Sequence, residues 1–555
     1  MKKVLIILAL ILTLSAACLA FTACGEEDGI SFKTFEVNGT NVYGRVPNDQ
    51  TTFNFANEVE VSENAEYVVS LDISGIQTAM TKTVSLEIGD NIFYVIETID
   101  DEVTTIYTIV IHRSDVFYEV SFNVEGATVE TQYVENGYFA NEPTCNTEIP
   151  LGYEFLGWNF DFTKPITESI VVNAEIEVRE EMKNFEFTST ATTCEITGSK
   201  DKHVTEIIIP DCVTSIGDRS FKPCFRLTSV TIGNSVTSIG ESAFYGCSSL
   251  ANMTIGNSVT SIGNSAFYFC SSLANMTIGN SVTSIGDTAF IGCTSLTSVT
   301  IPDSVTSIGR EAFAGCTSLT SVTIPDSVTS IGGGAFVGCT SLTSIIVDED
   351  NEVYKSIVGN LYSKDGKTLI QYAAGKTNIS FNIPDSVISI GYASFCDCAN
   401  LRNVTIPDSV TSIGELAFYD CTSLRNVTIP DGITNIGLSV FAGCTSLASV
   451  TIPNSVKSIG ERAFYDCTSL TSVTIPDSVT SICHFAFYGC DSLARVIIPN
   501  NVTTIDWCAF YDCDGLTIYC EATSQPSGWH SGWNCFKTDL GSESSYYPVV
   551  WGHKS

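Results

Sequence analysis

Positive charge is scarce in this chain. Against 62 acidic residues stand only 26 lysines and arginines, a formal charge of −36 over 555 residues. That balance argues against a nucleic-acid ligand and against polybasic contact with anionic lipid; it suits a large protein kept soluble outside the cell. Histidine is scarcer still: His112, His203, His484, His530 and His553 are scattered. None sits in a nucleophile or metal-ligand motif, so the reading is of a non-enzymatic chain with no cofactor and no metal. Long apolar runs are missing after the first 24 residues, and a membrane span needs about 20 such residues in a row.

Cysteine is plentiful, with 22 copies, and it leads to the dominant feature. A 23-residue unit recurs about twelve times between residues 205 and 516. Its cleanest copy runs Thr297-Ser-Val-Thr-Ile-Pro-Asp-Ser-Val-Thr-Ser-Ile-Gly-Arg-Glu-Ala-Phe-Ala-Gly-Cys-Thr-Ser-Leu319. Phenylalanine keeps the period from Phe221 to Phe336 and again from Phe395 to Phe510. Cysteine follows three residues later, and leucine three after that. A period of this length marks a solenoid, in which one repeat is one coil and only stacking buries both sides of it.

Val299 and Ile301 alternate with Ser298 and Thr300, the period-2 pattern of a short strand with one buried face. Pro302 ends that strand, since proline cannot donate to a ladder, and Gly233, Gly256 and Gly279 stand at the same point in earlier coils. Asp303 is expected to bond nearby backbone and set the turn. Val305, Ile308, Ala312, Phe313, Cys316 and Leu319 complete the inward set. Stacked cysteines have parallel Cα–Cβ bonds and Cβ atoms about 4.8 Å apart, against about 3.8 Å in a disulfide. The ladder therefore reads as buried thiols acting as small hydrophobes. Cys194 with Cys212 and Cys520 with Cys535 are the better disulfide candidates. Calcium on stacked Asp303/Asp326 or Asp408/Asp431 is a minor alternative to their turn role.

The run L-T-S-V-T-I-P-D-S-V-T-S-I-G-x-x-A-F-x-x-C resembles the BspA-type leucine-rich repeat family, over more than half of the chain. The resemblance implies a curved right-handed solenoid with a parallel sheet on its concave side, and a surface-exposed binding or adhesion protein. The fold class is thus mainly β: a leucine-rich-repeat solenoid of about twelve coils with short helical turns, preceded by two small all-β or β-grasp-like domains.

Residues 1–24 read as an export signal, with Lys2 and Lys3 ahead of the apolar run Val4 to Ala17. Phe21-Thr-Ala-Cys24-Gly resembles a bacterial lipobox, which implies lipid attachment at Cys24; Ser15-Ala-Ala-Cys18 competes with it. Residues 30–115 alternate at period 2 through Val84 to Ile96 and Ile106 to Arg113. Their G-D-N-x-F-Y-V and Y-T-I-x-I-x-R patterns resemble a cadherin-like β-sandwich. Residues 116–182 carry Gly152-Tyr-Glu-Phe-Leu-Gly-Trp158, which resembles the internalin-type B repeat, a β-grasp-like unit. Trp158 there is read as core rather than as a ligand contact. Residues 183–520 are assigned to the solenoid. A hairpin insertion near 343–378 turns at Asp365-Gly366 and is expected to leave the stack unbroken. Residues 521–555 form a C-terminal cap, in which Trp529, Trp533 and Trp551 plug the last coil.

A binding surface has to come from outward residues that depart from the repeat. Arg402-Asn403, Arg425-Asn426 and Arg495 replace Thr or Ser around the strand. Tyr245 with Tyr268, and Tyr465 with Tyr488 and Tyr511, form rows after the phenylalanines. Exposed aromatic rows can face a protein or a sugar; self-stacking is the simpler role for the tyrosines, and solvated or Asp-paired charge for the arginines. The leading reading is a lipid-anchored protein at the bacterial cell surface whose solenoid binds a host or microbial protein. A glycan-binding module, a purely structural scaffold and an ice-binding Ser-x-Thr array are the alternatives.

Overall fold

The computed structural model describes the strands between residues 30 and 113, and residues 117–144, 149–537 and 545–554. Residues 1–29, with the lipobox and Cys24, lie outside the described residues. The chain divides into two compact units, Met1–Glu180 and Glu181–Ser555.

The first unit is all β. Gly89–Ile99 and Glu102–Arg113 form a long antiparallel hairpin inside a five-stranded sheet. These are the two stretches whose alternation is plainest. A second, four-stranded sheet places Phe117–Val124 parallel to Ile170–Val178, with Ala127–Glu135 and Tyr153–Trp158 on the outside. Val120, Phe122, Val134 and Val172 form its core with Trp158. The Trp158 ring meets Phe122 edge-on at 5.1 Å, and its Nε1–H donates to the Pro143 carbonyl at 3.2 Å. A buried indole with its one donor satisfied is a core residue.

In the second unit about 14 turns wind across residues 195–520. Every coil supplies a first strand, such as Ser298–Thr300, and a two-residue second strand, such as Ser307–Ile308. Equivalent strands pair in parallel and in exact register with the coil before: Val299 with Val322, Ile308 with Ile331. The first strand stops before the proline, as its missing N–H requires. The inward residues are fully buried, from Val213 and Phe221 at one end to Phe510 and Leu516 at the other. Consecutive phenylalanines stack with ring centroids 5.1–5.7 Å apart from Phe221 to Phe336.

The short helical turns are not there. The one helix among the described residues is a single 3₁₀ turn, Glu180–Met182. Around the phenylalanine the backbone instead forms a third inter-coil ladder: Phe221 N–H donates to Ala243 O and Phe244 N–H to Ala266 O, both at 2.8 Å. Two left-handed residues per coil aim these groups. One lies two residues before the phenylalanine, as at Ser242, Thr288 and Arg462, with φ between +53° and +55°. The other precedes the cysteine and is usually glycine (Gly246, Gly292, Gly315) or aspartate (Asp397, Asp420, Asp466). Glycine has no Cβ to clash there, and aspartate tolerates the region better than most residues.

The cysteine ladder is a row of thiols, most of them donating to the carbonyl of the phenylalanine one coil back. Cys270 Sγ reaches Phe244 O at 3.2 Å, and Cys293, Cys316, Cys444 and Cys467 repeat the contact at 3.2–3.3 Å. The Phe244 carbonyl also accepts from Cys247 N–H, so both of its lone pairs are used. Hydroxyls add a further set: Thr306 Oγ1 donates to Thr283 O at 3.1 Å and Ser304 Oγ to Val282 O at 2.7 Å. Turn carboxylates and amides also reach across coils rather than locally. Asp211 Oδ1 accepts from Asn234 N–H, and Asn257 Oδ1 from Asn280 N–H.

Neither expected disulfide forms. Cys194, Cys212 and Cys520 are unbridged, and the bridge joins Cys508 to Cys535 with Cα atoms 5.5 Å apart. Cys194 and Cys520 both point into the core. Cys508 takes the left-handed position before Phe510 and faces the cap segment that brings Cys535 alongside. At the C-terminal end the tryptophans differ in burial, Trp551 being only half-buried. Trp529 and Trp533 are buried, Trp529 Nε1–H donates to Val502 O at 3.0 Å, and Val549–Trp551 adds a strand beside Thr517–Cys520. At the other end the hairpin of Phe185–Ser189 and Cys194–Ser199 closes the second-strand ladder.

The insertion does break the stack. The first-strand sheet stops at Ser344–Val347 and a new one starts at Ser380–Asn382. Insertion strand Thr368–Gln371 pairs with Ser389–Ile390 and so edges the second half. Tyr372 takes the place of a phenylalanine and stacks 5.3 Å from Phe395. Across the seam, Tyr392 lies over Gly333 and Gly334 and bonds Arg310 and Glu311 at 3.1 and 3.2 Å. An added Cβ at Gly334 would meet that ring at 3.1 Å.

Burial pushes Cys247 and Cys316 up to about 12, and Cys270, Cys293 and Cys339 well above the usual thiol range. Above about pH 8.5 the unfolded chain sheds these protons while the folded chain keeps them, so stability falls as pH rises. We expect the urea midpoint to drop from about pH 8 to about pH 10. The drop should be shallower when Cys270, Cys293 and Cys316 are all changed to Ala; equal slopes would contradict the assignment.

Candidate functional site

The strand alternation that builds the core also defines an outward face. In most first strands the middle residue is buried and its neighbours are exposed, as in Asn252–Thr254, Ser298–Thr300 and Ser472–Thr474. The outward positions hold Ser, Thr and Asn over most of the length. In the second half, no strand from Ser380–Asn382 through Thr517–Cys520 carries an acidic residue.

Arg402 and Arg425 stand immediately before the first strands Asn403–Thr405 and Asn426–Thr428 in consecutive coils, both exposed, with Arg425 N–H donating to Arg402 O at 3.0 Å. Among the described residues neither is in an ion pair with a carboxylate, so the Asp-paired alternative does not describe them. Beside them Asn403 Nδ2 reaches Ser380 Oγ at 3.4 Å, and Ser449 Oγ donates to Asn426 Oδ1 at 3.2 Å. Arg495 differs. Its guanidinium lies 4.4 Å from the Tyr519 ring centroid and bonds His553 Nε2 at 3.0 Å. It ties the cap to the last coils.

The tyrosines are half-buried and stacked face to face. Tyr245 and Tyr268 are 4.8 Å apart, Tyr465 and Tyr488 4.4 Å, and Tyr488 and Tyr511 5.3 Å. Lys222 Nζ sits 3.9 Å over the Tyr245 ring. A sugar stacks on an aromatic face, and the faces shared within these rows are already covered. Burial, with Tyr465 and the carboxylates of Asp512 and Asp466 nearby, pushes Tyr488 up to about 12. A groove of about 610 Å³ lies between the last coil and the cap, lined by Tyr488, Tyr511, Asp512, Asp514, Phe536 and Tyr547. Among the described residues no group of three His, Cys, Asp or Glu side chains is placed to hold a metal ion, and no helix is long and apolar enough to cross a membrane.

The family described as BspA type leucine rich repeat region matches residues 199–307, 283–362, 372–470 and 457–525, more than half of the chain. The chain belongs to this BspA-type leucine-rich-repeat family. Its solved relatives include a leucine rich cell surface protein from Faecalibacterium prausnitzii A2-165, 36% identical with a TM-score of 0.47, covering 65% of this chain and 97% of that one. A leucine-rich repeat protein from Eubacterium ventriosum is 26% identical with a TM-score of 0.46, covering 60% and 92%. The pneumococcal vaccine antigen PcpA is 19% identical with a TM-score of 0.40, covering 84% and 98%. Comparison with curated proteins gave no match.

Because the arginines touch nothing that holds the fold, Arg402→Ala and Arg425→Ala should each change stability by no more than about 0.5 kcal/mol. Tyr488→Ala, which removes two ring stacks, should cost about 1–3 kcal/mol. Urea titration of the three variants checks the contrast.

Proposed function

We propose that this BspA-type protein is held at the bacterial surface by a lipid on Cys24 and uses its solenoid to bind another extracellular protein. The observation that carries the reading is the division of labour within each first strand. Inward side chains and inter-coil hydrogen bonds hold the stack, while the outward side chains are left exposed on a polar face in each half. Such a face can change sequence without disturbing the core, which is what a binding surface on a repeat scaffold requires. The strong acidity supports an extracytoplasmic, non-aggregating protein. The apolar N-terminal run ending in Ala-Cys24 supports lipid attachment.

Two measurements test the proposal. Metabolic labelling with a radioactive fatty acid should mark the wild-type chain and not Cys24→Ala; equal labelling would remove the anchor from the account. Residues 25–555, immobilised and exposed to serum, extracellular-matrix and cell-surface proteins, should retain at least one of them saturably. Retention of none would leave a structural scaffold as the better description.

A further inference from the structure

We propose that Arg402 and Arg425 form a receptor for an acidic polypeptide segment, one whose Glu or Asp carboxylates dock on the first-strand face of the second solenoid half. The inference rests on the protein-binding reading above and names the chemistry of the partner.

Three observations point the same way. The first is the charge pattern. Acidic residues outnumber basic ones more than twofold in this chain, yet the first strands from Ser380–Asn382 to Thr517–Cys520 contain none, and Arg402 and Arg425 immediately precede two of them. The second is the absence of any internal role. Arg495 is tied to Tyr519 and His553, and Arg310 to Glu311 and Tyr392. Arg402 and Arg425 are exposed and make no such contact among the described residues. The third is their placement. Consecutive coils hold them at equivalent positions about 4.8 Å apart along the ladder. Like charges on neighbouring coils repel each other. A carboxylate between them relieves that repulsion.

Guanidinium is the group suited to this task. Its planar fork offers parallel N–H donors to the two oxygens of a carboxylate, which a lysine ammonium does not. Asn403 and Asn426, exposed on the adjoining strand position, add amide groups at the same spacing. At physiological ionic strength the Debye length is about 8 Å, so carboxylates farther away than that are largely screened from an exposed guanidinium. An acidic partner is repelled by the net charge of the chain and attracted by the paired guanidiniums, which would give register as well as affinity.

The test uses the full-length protein in detergent and a fluorescent polyglutamate peptide, read by anisotropy. The wild type should bind, more weakly as salt rises. Arg402→Ala/Arg425→Ala should weaken binding at least about tenfold, and Arg402→Lys/Arg425→Lys should recover only part of it. Arg226→Ala/Lys202→Ala, which removes the same charge from other coils, should leave it unchanged. Equal urea midpoints across the variants would establish that the loss is not unfolding. The proposal is overturned if wild type fails to bind polyglutamate at low salt, if the paired variant binds as well as wild type, or if a sulfated heparin fragment binds and polyglutamate does not. Should any of these occur while residues 25–555 still capture an extracellular protein, the acidic-segment assignment alone is wrong.

Discussion

Everything in the second unit depends on each group meeting its own copy one coil away. A 23-residue period returns the chain to the same angular position one strand spacing further on. Val299 therefore pairs with Val322, Phe290 stacks on Phe313, and Thr306 donates to Thr283. A single coil has no partner for its strand edges, ring faces, thiols or Phe carbonyls. Its polar groups are satisfied only by the coils before and after, so the stack exists as a cooperative object or not at all. This explains the monotony of the sequence. A residue that suits one coil suits the next because the two surround each other.

The same constraint locates the weak points. At the insertion the equivalents are lost, and both the sheet and the ring ladder stop and restart. Four buried polar atoms near that seam, Asn360 Nδ2, Tyr362 Oη, Tyr372 Oη and Ser394 Oγ, have no hydrogen-bond partner within the protein. The regular coils contribute no such atoms. Tyr392, reaching over Gly333 and Gly334 to Arg310 and Glu311, is the strap across this gap. The ends are handled differently. A hairpin extends the ladder at one, and tryptophans with the Cys508–Cys535 bridge close the other.

Much of this was legible from residue type. The phenylalanine, cysteine and leucine periods identify inward positions, because only a fixed place in a coil imposes so strict a choice. Thiols rather than disulfides follow from the parallel geometry of stacked Cβ atoms. The Trp158 and Trp529 core roles follow from the size of the indole. The left-handed residues two before each phenylalanine were not legible. They include Arg219, Ser242, Thr288, Leu416 and Phe485, and only Gly334, before Phe336, is a glycine. The conformation costs about 1–2 kcal/mol per non-glycine residue. It is imposed by the inter-coil hydrogen bonds it permits, a long-range gain that no local propensity reports. The Gly or Asp before most of the ladder cysteines was a visible signal of the same device. Disulfide partners failed for a related reason: pairing depends on where the cap lands, which sequence spacing does not reveal. At the binding face, Arg402 and Arg425 stand out as departures from the repeat. That Arg495 belongs with the cap required the Tyr519 and His553 contacts.

Removing whole and partial coils tests the stacking account most directly. Deleting residues 297–319, one complete period, should leave a folded protein with the same sharp urea transition and a slightly lower midpoint, since each remaining coil still meets an equivalent. Deleting residues 297–307 alone puts every later coil out of phase with every earlier one, and should abolish cooperative unfolding across the join. If both deletions gave equally folded proteins, or if the full-period deletion unfolded the chain, coil-to-coil equivalence would not be what holds the structure together.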